Sequence, residues 1–496
     1  MAYAYDRRAF GPGGSWSGRH WFGQEQTATG ARQAVPFNWV DGLLVCIFLI
    51  GMYTNFTIAV TAKVPFPSVP SGVAGLLMLW RRRDQITQPA LVGLLALLAL
   101  YVASILSATG IGNLSRRTNG LIQLTYSVII GYGLFLTITQ ATRRQLAALF
   151  LGFALVIVVG CLLENYTPLK AVSDSVRQTI YARGVYENDI RDMLLYKRVR
   201  PKFFASEPAS VTFCYAFFVF IWFVASPWRW KLPIYLCLMA LGMFAMPGPT
   251  LILMMLMAVP YMLFIASRRN GRLDHVRLIK FASLALLLGV AALIVGSNLF
   301  AARIQEISHG NDASFFYRVL GPAIAGWHLL GHYPIAGAGL TGEPFVESEV
   351  VNLYLRSPAY SEAWVIVSPA SELLINFFWL HWIYLGLVWG LAIAVAWSVW
   401  LRKLGVPSIA FCWTVWAIMG QAAGAYVGPT CWAVLFLAGG AALINQREAA
   451  ESRTRATRLD LFSLPSRLAR RYAWRERPMS AEELRRSGVA IFGRKG

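Results

Sequence analysis

A single glutamate stands beside a cluster of basic residues where a charged stretch of the sequence becomes strongly apolar. Residues 198–210 read RVRPKFFASEPAS, in which Glu207 follows Arg198, Arg200 and Lys202 and precedes the run VTFCYAFFVFIWFVA. Guanidinium groups bind phosphate oxygens bidentately, and lysine binds them as a point charge. A neighbouring carboxylate can accept a proton or orient an arginine. The pattern therefore predicts phosphate-binding or proton-transfer chemistry at the start of an apolar segment.

The same residues also suit a purely structural role. A carboxylate is favoured at a helix N-terminus by the helix dipole, and Pro208 suits the first turn of a helix. Basic residues at a membrane boundary can also meet lipid headgroups. Both interpretations of Glu207 and its basic neighbours stay open at the level of the sequence.

Composition decides what kind of element must position these residues. The chain has 496 residues, of which 57% are hydrophobic and only 14% charged. Soluble domains carry about a quarter charged residues, so the sequence indicates an integral membrane protein. The net charge of +21 suits the basic cytoplasmic side of a membrane protein better than nucleic-acid binding. We expect a lipid bilayer and no nucleic acid as partner. The six cysteines lie in apolar runs without metal-ligand spacing, so we expect no metal or cofactor.

The apolar runs predict an all-α polytopic fold with about twelve transmembrane helices, each near the ~20 residues that a span requires. The predicted spans lie near 38–61, 66–80, 89–109, 119–140, 146–164, 204–226, 231–247, 249–267, 279–299, 368–400, 406–425 and 427–445.

Every second connection between these spans is basic, which places both termini in the cytoplasm. We predict a disordered cytoplasmic N-terminus over 1–36, a membrane domain over 37–445 and a basic cytoplasmic tail over 446–496. Two long loops, 165–203 and 300–367, then face the opposite, periplasmic side.

The second long loop contains a further candidate site. The stretch NDASFFYRVLGPAIAGWHLLGHYP predicts a helix that Asp312 or Ser314 caps and from which Arg318 projects. The turn PIAGAGLTG follows at 334–342, and its glycines permit close backbone approach to a ligand.

Three stretches in this order carry a family resemblance. SFFYR…GWHLLGHYPIAGAG, RVRPKFFASEPAS and SPASELLINFFWLHWIYLGLVWG together cover roughly residues 195–400. They resemble the signature of the O-antigen ligase/polymerase superfamily, which includes Wzy-type polymerases, O-antigen ligases and exopolysaccharide polymerases. The resemblance implies a GT-C-like arrangement of transmembrane helices with two long periplasmic loops.

The resemblance also implies a reaction. It is metal-independent glycosyl transfer that polymerises undecaprenyl-pyrophosphate-linked repeat units into exopolysaccharide, capsule or O-antigen at the periplasmic face of the bacterial inner membrane. A chain-length regulator and a flippase are the implied partner proteins. We expect Arg200 and Arg318 at one cavity that opens to lipid. The implied pyrophosphate-binding residues are Arg198, Arg200, Lys202 and Arg318, and the implied catalytic residues are Glu207, Arg318, Glu372 and His332.

One departure from the family pattern favours a polymerase. Ligases of this superfamily usually carry a histidine just before the late span, where this chain reads SPASE over Ser368–Glu372. The alternatives are an O-antigen ligase that transfers glycan to lipid A–core and a lipid-linked oligosaccharide transporter.

Overall fold

A computed structural model describes residues 36–61, 64–110, 113–181, 186, 189–269, 272–299, 301–309, 312–357 and 368–448. Residues 1–35 of the predicted N-terminal segment 1–36 and residues 449–496 of the predicted tail 446–496 lie outside the described residues. All statements below concern the described ranges.

The first half of the chain is helical apart from one short β-ribbon. Its elements are α1 (Trp39–Thr54), β1 (Ile58–Thr61), β2 (Val64–Phe66), α2 (Val69–Arg81), α3 (Gln88–Ser107), α4 (Leu114–Ile138), α5 (Arg143–Tyr166), α6 (Leu169–Ile180), α7 (Asp189–Tyr196) and α8 (Pro208–Ala225).

The second half is also largely helical and contains a second β-ribbon and two π-helical turns. Its elements are α9 (Lys231–Ala245), α10 (Pro249–Met255), α11 (Ala258–Tyr261) with the π turn Met262–Ala266, β3 (Arg268–Arg269), β4 (Arg272–Leu273), α12 (His275–Leu299), α13 (Ala301–Ser308), α14 (Ala313–Phe315) with the π turn Phe316–Leu320, α15 (Gly321–His332), α16 (Glu343–Leu355), α17 (Ala370–Leu373), α18 (Phe377–Lys403), α19 (Ile409–Gly420) and α20 (Pro429–Glu448).

The predicted helical membrane fold is confirmed in its coarse form. Seven helices of the described chain are long and apolar enough to cross a membrane, namely α3, α4, α5, α8, α12, α18 and α20. By length and composition, the chain is therefore a membrane protein.

Twelve full-length spans are not found among the described residues. Three of the predicted spans correspond to the shorter apolar helices α1, α9 and α19, and the span near 66–80 corresponds to the 13 residues of α2. A helix of 13 residues covers only about 20 Å at 1.5 Å per residue. The predicted span 249–267 is divided into α10, α11 and a π turn, with Pro260 inside it. Proline lacks the backbone N–H that a continuous helix needs.

The core of the bundle forms around α8. Within its apolar stretch 89% of residues are buried, against 12% in α12, so α8 is central and α12 peripheral. Small residues bring neighbouring helices close. Gly75 of α2 lies against the Ile130 backbone of α4, where an added Cβ would come within 2.9 Å of the Ile130 Cα. Such contacts allow membrane helices to pack by backbone approach.

One end of the bundle is held by basic side chains. Arg143 donates to the carbonyls of Ala225 and Ser226 at 2.9 and 2.7 Å, and Arg447 donates to that of Thr139 at 2.9 Å. These arginines satisfy the carbonyl ends of α8 and α4, where cations are favoured. At the opposite end, the C-terminal ends of α1 and α5 meet at Phe203, in the segment that leads into α8.

Candidate functional site

The segment that precedes Glu207 has a strained backbone that other elements hold in place. Phe203 and Phe204 have φ of 35° and 64°, in the left-handed region that non-glycine residues rarely adopt. The carboxylate of Glu164, at the end of α5, accepts hydrogen bonds from the backbone N–H groups of Lys202 and Phe203 at 3.0 and 2.5 Å. Consecutive N–H groups in this conformation form a concave anion site, and here the chain's own carboxylate occupies it.

The carbonyls of the same segment are also all engaged. The carbonyls of Phe203 and Phe204 accept hydrogen bonds from the hydroxyls of Tyr53 (2.7 Å) and Tyr181 (3.0 Å). Those of Ala205 and Ser206 accept from Nε (2.7 Å) and Nη2 (3.0 Å) of Arg177. Because both faces of the backbone are bonded, this segment is a fixed platform. It presents Glu207 at the N-cap position of α8.

Glu207 is paired with Arg318. Its Oε2 lies 3.3 Å from Arg318 Nη2, and its side chain makes no capping hydrogen bond to α8. The glutamate side chain is 41% exposed and that of Arg318 20%. The arginine that pairs with Glu207 thus comes from the second long loop and is not the nearby Arg200.

Arg200 is instead surrounded by one acidic and two aromatic side chains. Its Nε lies 2.8 Å from Oδ1 of the fully buried Asp192, and its Nη2 donates to the Tyr186 hydroxyl at 3.1 Å. The guanidinium carbon lies 4.8 Å from the centre of the Tyr196 ring. Burial lowers the pKa of Arg200, but Tyr196, Asp192 and Tyr186 outweigh it and raise that pKa above its ordinary value. Arg200 is therefore a permanent cation.

Arg200 and Arg318 line one cavity of about 250 Å³, the cationic cavity. No Asp or Glu is among the described residues that line it, and Phe315 and Val319 contribute apolar surface. Two guanidinium groups at one cavity are suited to hold an anion. The lining residues are Arg200, Ala209, Thr212, Gly248, Thr250, Ser314, Phe315, Arg318, Val319, Gln421 and Ala422.

A second cavity, of about 450 Å³, adjoins the first, and we term it the polar cavity. The two share Ala209 and Ala422, and Glu207 lines the second while its ion-pair partner Arg318 lines the first. Glu207 is the one charged side chain among the described residues that line the polar cavity. The hydrogen-bonding side chains of its lining are Tyr53, Asn55, Thr57, Gln123, Glu207, Ser210, Ser371, Tyr384 and Thr430.

Lys202 and Arg198, which are predicted to bind pyrophosphate, are not among the described residues that line the cationic cavity. Lys202 is buried, and its Nζ lies 2.9 Å from Asp189 Oδ1. Burial raises the pKa of Asp189, but hydrogen bonds from Lys202 and Lys170 outweigh it and leave that pKa below its ordinary value. Arg198 donates to the Phe244 carbonyl at 2.5 Å. Both cations are thus used in packing the loop.

His332 and Glu372 are likewise absent from the described linings of both cavities. His332 is exposed at the end of α15, where its Nδ1 lies 2.9 Å from the His328 carbonyl and its ring packs on His328. Glu372 is exposed on α17, although the preceding Ser371 lines the polar cavity. The sequence-predicted residues that the structure brings together are Glu207, Arg200 and Arg318.

Sequence reasoning missed the buried Asn376, which positions Arg318. Its Nδ2 donates to the Arg318 carbonyl at 2.7 Å and to Gln421 Oε1 at 2.9 Å, and its Oδ1 caps α18. An asparagine just before a long apolar run is a helix-start signal that could have marked it. The predicted cap at Asp312 is confirmed, since its Oδ1 accepts the Phe315 N–H at 3.1 Å.

The glycine turn at 334–342 contacts another helix. Gly337 and Gly339 have φ of 56° and 80°, and the Ala338 N–H donates to the Ile383 carbonyl at 2.8 Å. Helix α18 is broken there at Gly386, and the Leu387 N–H donates to the Pro334 carbonyl at 2.7 Å. The turn satisfies backbone groups that the break leaves open, as a broken membrane helix requires. The glycines of the turn therefore allow a close backbone approach to α18.

Among the described residues, no three His, Cys, Asp or Glu side chains lie together in a way that could hold a metal ion. Comparison with known proteins adds no identity: no family model, no curated protein and no solved structure matches this chain.

Proposed function

We propose that this protein is a polysaccharide polymerase that extends glycans carried on undecaprenyl pyrophosphate. The observation that supports the proposal is a cavity with two arginines, Arg200 and Arg318, joined by the Glu207–Arg318 ion pair to a larger polar cavity. A lipid-linked glycan combines a diphosphate, an apolar tail and a sugar. The arginines and apolar walls of the cationic cavity suit the first two parts.

We place the Glu207 end of the bundle on the periplasmic side of the bacterial inner membrane. The opposite end carries Arg143 and Arg447 at helix ends, and cytoplasmic ends of membrane proteins are enriched in such residues. In this topology the seven long helices, the helices α1, α2, α9 and α19, and the divided segment 249–267 make twelve crossings, and both termini are cytoplasmic.

The proposed reaction is one displacement. The hydroxyl oxygen of the acceptor sugar attacks the anomeric carbon of the donor, and the bond from that carbon to the diphosphate oxygen breaks. The electron pair leaves with the lipid diphosphate, whose growing charge Arg200 and Arg318 stabilise. The hydroxyl proton passes to the Glu207 carboxylate, which is 41% exposed and can release it to solvent.

Arg318 links the two halves of this reaction. Without substrate it is paired with Glu207, whose Oε2 lies 3.3 Å from Arg318 Nη2. A diphosphate in the cationic cavity competes for the same guanidinium group. Donor binding then frees the carboxylate, so that a base becomes available only when a leaving group is in place.

Reconstitution in proteoliposomes with lipid-linked repeat units from the producing bacterium tests the proposal. We expect chains of many repeats from the wild type and from Arg402→Ala, whose arginine is exposed near the far end of α18, and none from Arg318→Ala. Transfer of glycan to added lipid A–core identifies a ligase instead. Movement of unaltered glycan across the membrane identifies a transporter, and either result overturns the proposal.

A further inference from the structure

The polar cavity has the chemistry of a binding site for an uncharged, hydroxyl-rich ligand. Its volume of about 450 Å³ lies within the usual range for ligand pockets. Amide and hydroxyl side chains come from four separate parts of the fold, represented by Asn55, Gln123, Ser210 and Thr430. Such side chains both donate and accept hydrogen bonds, as sugar hydroxyls do.

The lining excludes the other parts of a lipid-linked glycan. Glu207 repels a diphosphate, which the cationic cavity attracts. A polyprenyl chain would cover hydroxyl and amide groups without offering them hydrogen bonds, at a cost for each group. An uncharged sugar avoids both penalties.

Aromatic walls and a fixed backbone add shape to the cavity. Tyr53, Phe213 and Tyr384 line it, and aromatic surface beside a few placed polar groups is typical of ligand pockets. Tyr53 is anchored through its hydroxyl to the platform before Glu207, and Tyr384 is anchored to Glu343. The non-glycine lining residues Asn55 and Ala425 have φ of 49° and 58°. Strain of this kind persists where the surrounding structure imposes it, often at functional sites.

We infer that the polar cavity binds the terminal sugar of the acceptor glycan, with the attacking hydroxyl directed toward Glu207. The inference rests on the proposed polymerase function and assigns the acceptor to a cavity separate from the one for the donor diphosphate. The acceptor's reacting end is remote from its own lipid diphosphate, which matches a cavity without cations.

Two soluble probes test the inference on the full-length protein in nanodiscs. The first is the repeat-unit oligosaccharide, freed by mild acid from the lipid-linked pool of the producing cells. The second is farnesyl diphosphate. Binding of each is measured by saturation-transfer NMR for the wild type and for Ser210→Phe, which fills the polar cavity. Ser283→Phe makes the same exchange on the exposed face of α12 and is the matched control.

We expect Ser210→Phe to weaken oligosaccharide binding about tenfold or more, which corresponds to one lost close contact. Farnesyl diphosphate binding should stay unchanged in that variant. Arg318→Ala should weaken farnesyl diphosphate binding and leave oligosaccharide binding unchanged. If Ser210→Phe does not fold, Thr430→Leu, which replaces a lining residue on α20, serves as the second test.

The inference is overturned if the oligosaccharide does not bind, if farnesyl diphosphate displaces it, or if Ser210→Phe and Thr430→Leu bind it as well as Ser283→Phe does. Failure of the proposed function looks different. In that case the oligosaccharide binds in the polar cavity, but the protein elongates no chain in the reconstituted assay.

Discussion

The cationic cavity and the polar cavity lie side by side but differ in charge. The described lining of the first contains two arginines and no carboxylate, and that of the second contains one carboxylate and no cation. The one direct link between the opposite charges is the Glu207–Arg318 pair at 3.3 Å. Under the proposed function, this pair keeps the base engaged with a cation of the leaving-group site until the donor diphosphate separates them.

Arg318→Ala should produce the largest loss of activity. In the proposed reaction it removes a cation that stabilises the departing diphosphate, and loss of one such group costs about 100- to 1,000-fold in turnover. Elongation rates in proteoliposomes measure the effect. Because Arg318 is partly exposed, thermal stability should change little. Turnover within a few-fold of wild type would remove Arg318 from the site.

Glu207→Gln should cut turnover by about a hundredfold, the usual contribution of a positioned acid–base group. Glutamine keeps the size of the side chain but takes no proton. Glu207 makes no capping bond to α8, so the free energy of unfolding should change by about 1 kcal/mol or less. If turnover survives in a variant of normal stability, Glu207 is only a helix-end carboxylate.

Arg200→Ala should differ from Arg318→Ala by acting on stability as well. It leaves the buried Asp192 without its cation, and breaking a buried pair costs about 3 kcal/mol or more. The melting temperature reports this loss. Adding Asp192→Asn should restore most of the stability without restoring activity. Rescue of activity by Asp192→Asn would mean that Arg200 only holds the loop.

The smallest effect should come from Asp189, which lies outside both cavities. Its pKa is lowered in the folded protein, so its pairing with Lys202 and Lys170 stabilises the fold above the ordinary pKa of 3.8. That stabilisation is lost as the pH falls through the lower, folded-state value. Asp189→Asn should therefore flatten the acid side of a melting-temperature profile and leave turnover at neutral pH near normal. An unchanged profile would show that the pair contributes nothing.

Local sequence patterns predicted candidate functional residues, but not the side chains and backbone groups that contact them. The run before Glu207 marked a charged boundary, and Asp312 was recognisable as a helix cap. The Glu207–Arg318 contact joins residues 111 positions apart, and no local pattern indicates it. The contacts of Lys202 with Asp189 and of Arg198 with the Phe244 carbonyl are tertiary contacts that no local pattern indicates either.

The fold shows the same limit. Hydropathy located the long apolar helices, because each is a continuous run of apolar residues. The break at Gly386 leaves backbone groups that tertiary contacts with the glycine turn satisfy, and no local pattern predicts those contacts. The polar cavity was missed because single hydroxyls such as Ser210 and Thr430, within apolar runs, have no periodic signature.

The most direct measurement of the central claim is stoichiometry. Purified protein in proteoliposomes receives lipid-linked repeat units labelled in both the glycan and the lipid, and chain length and free undecaprenyl pyrophosphate are followed together. The account predicts one lipid diphosphate released for each repeat unit added. Chain growth without that release, or release without chain growth, would contradict it.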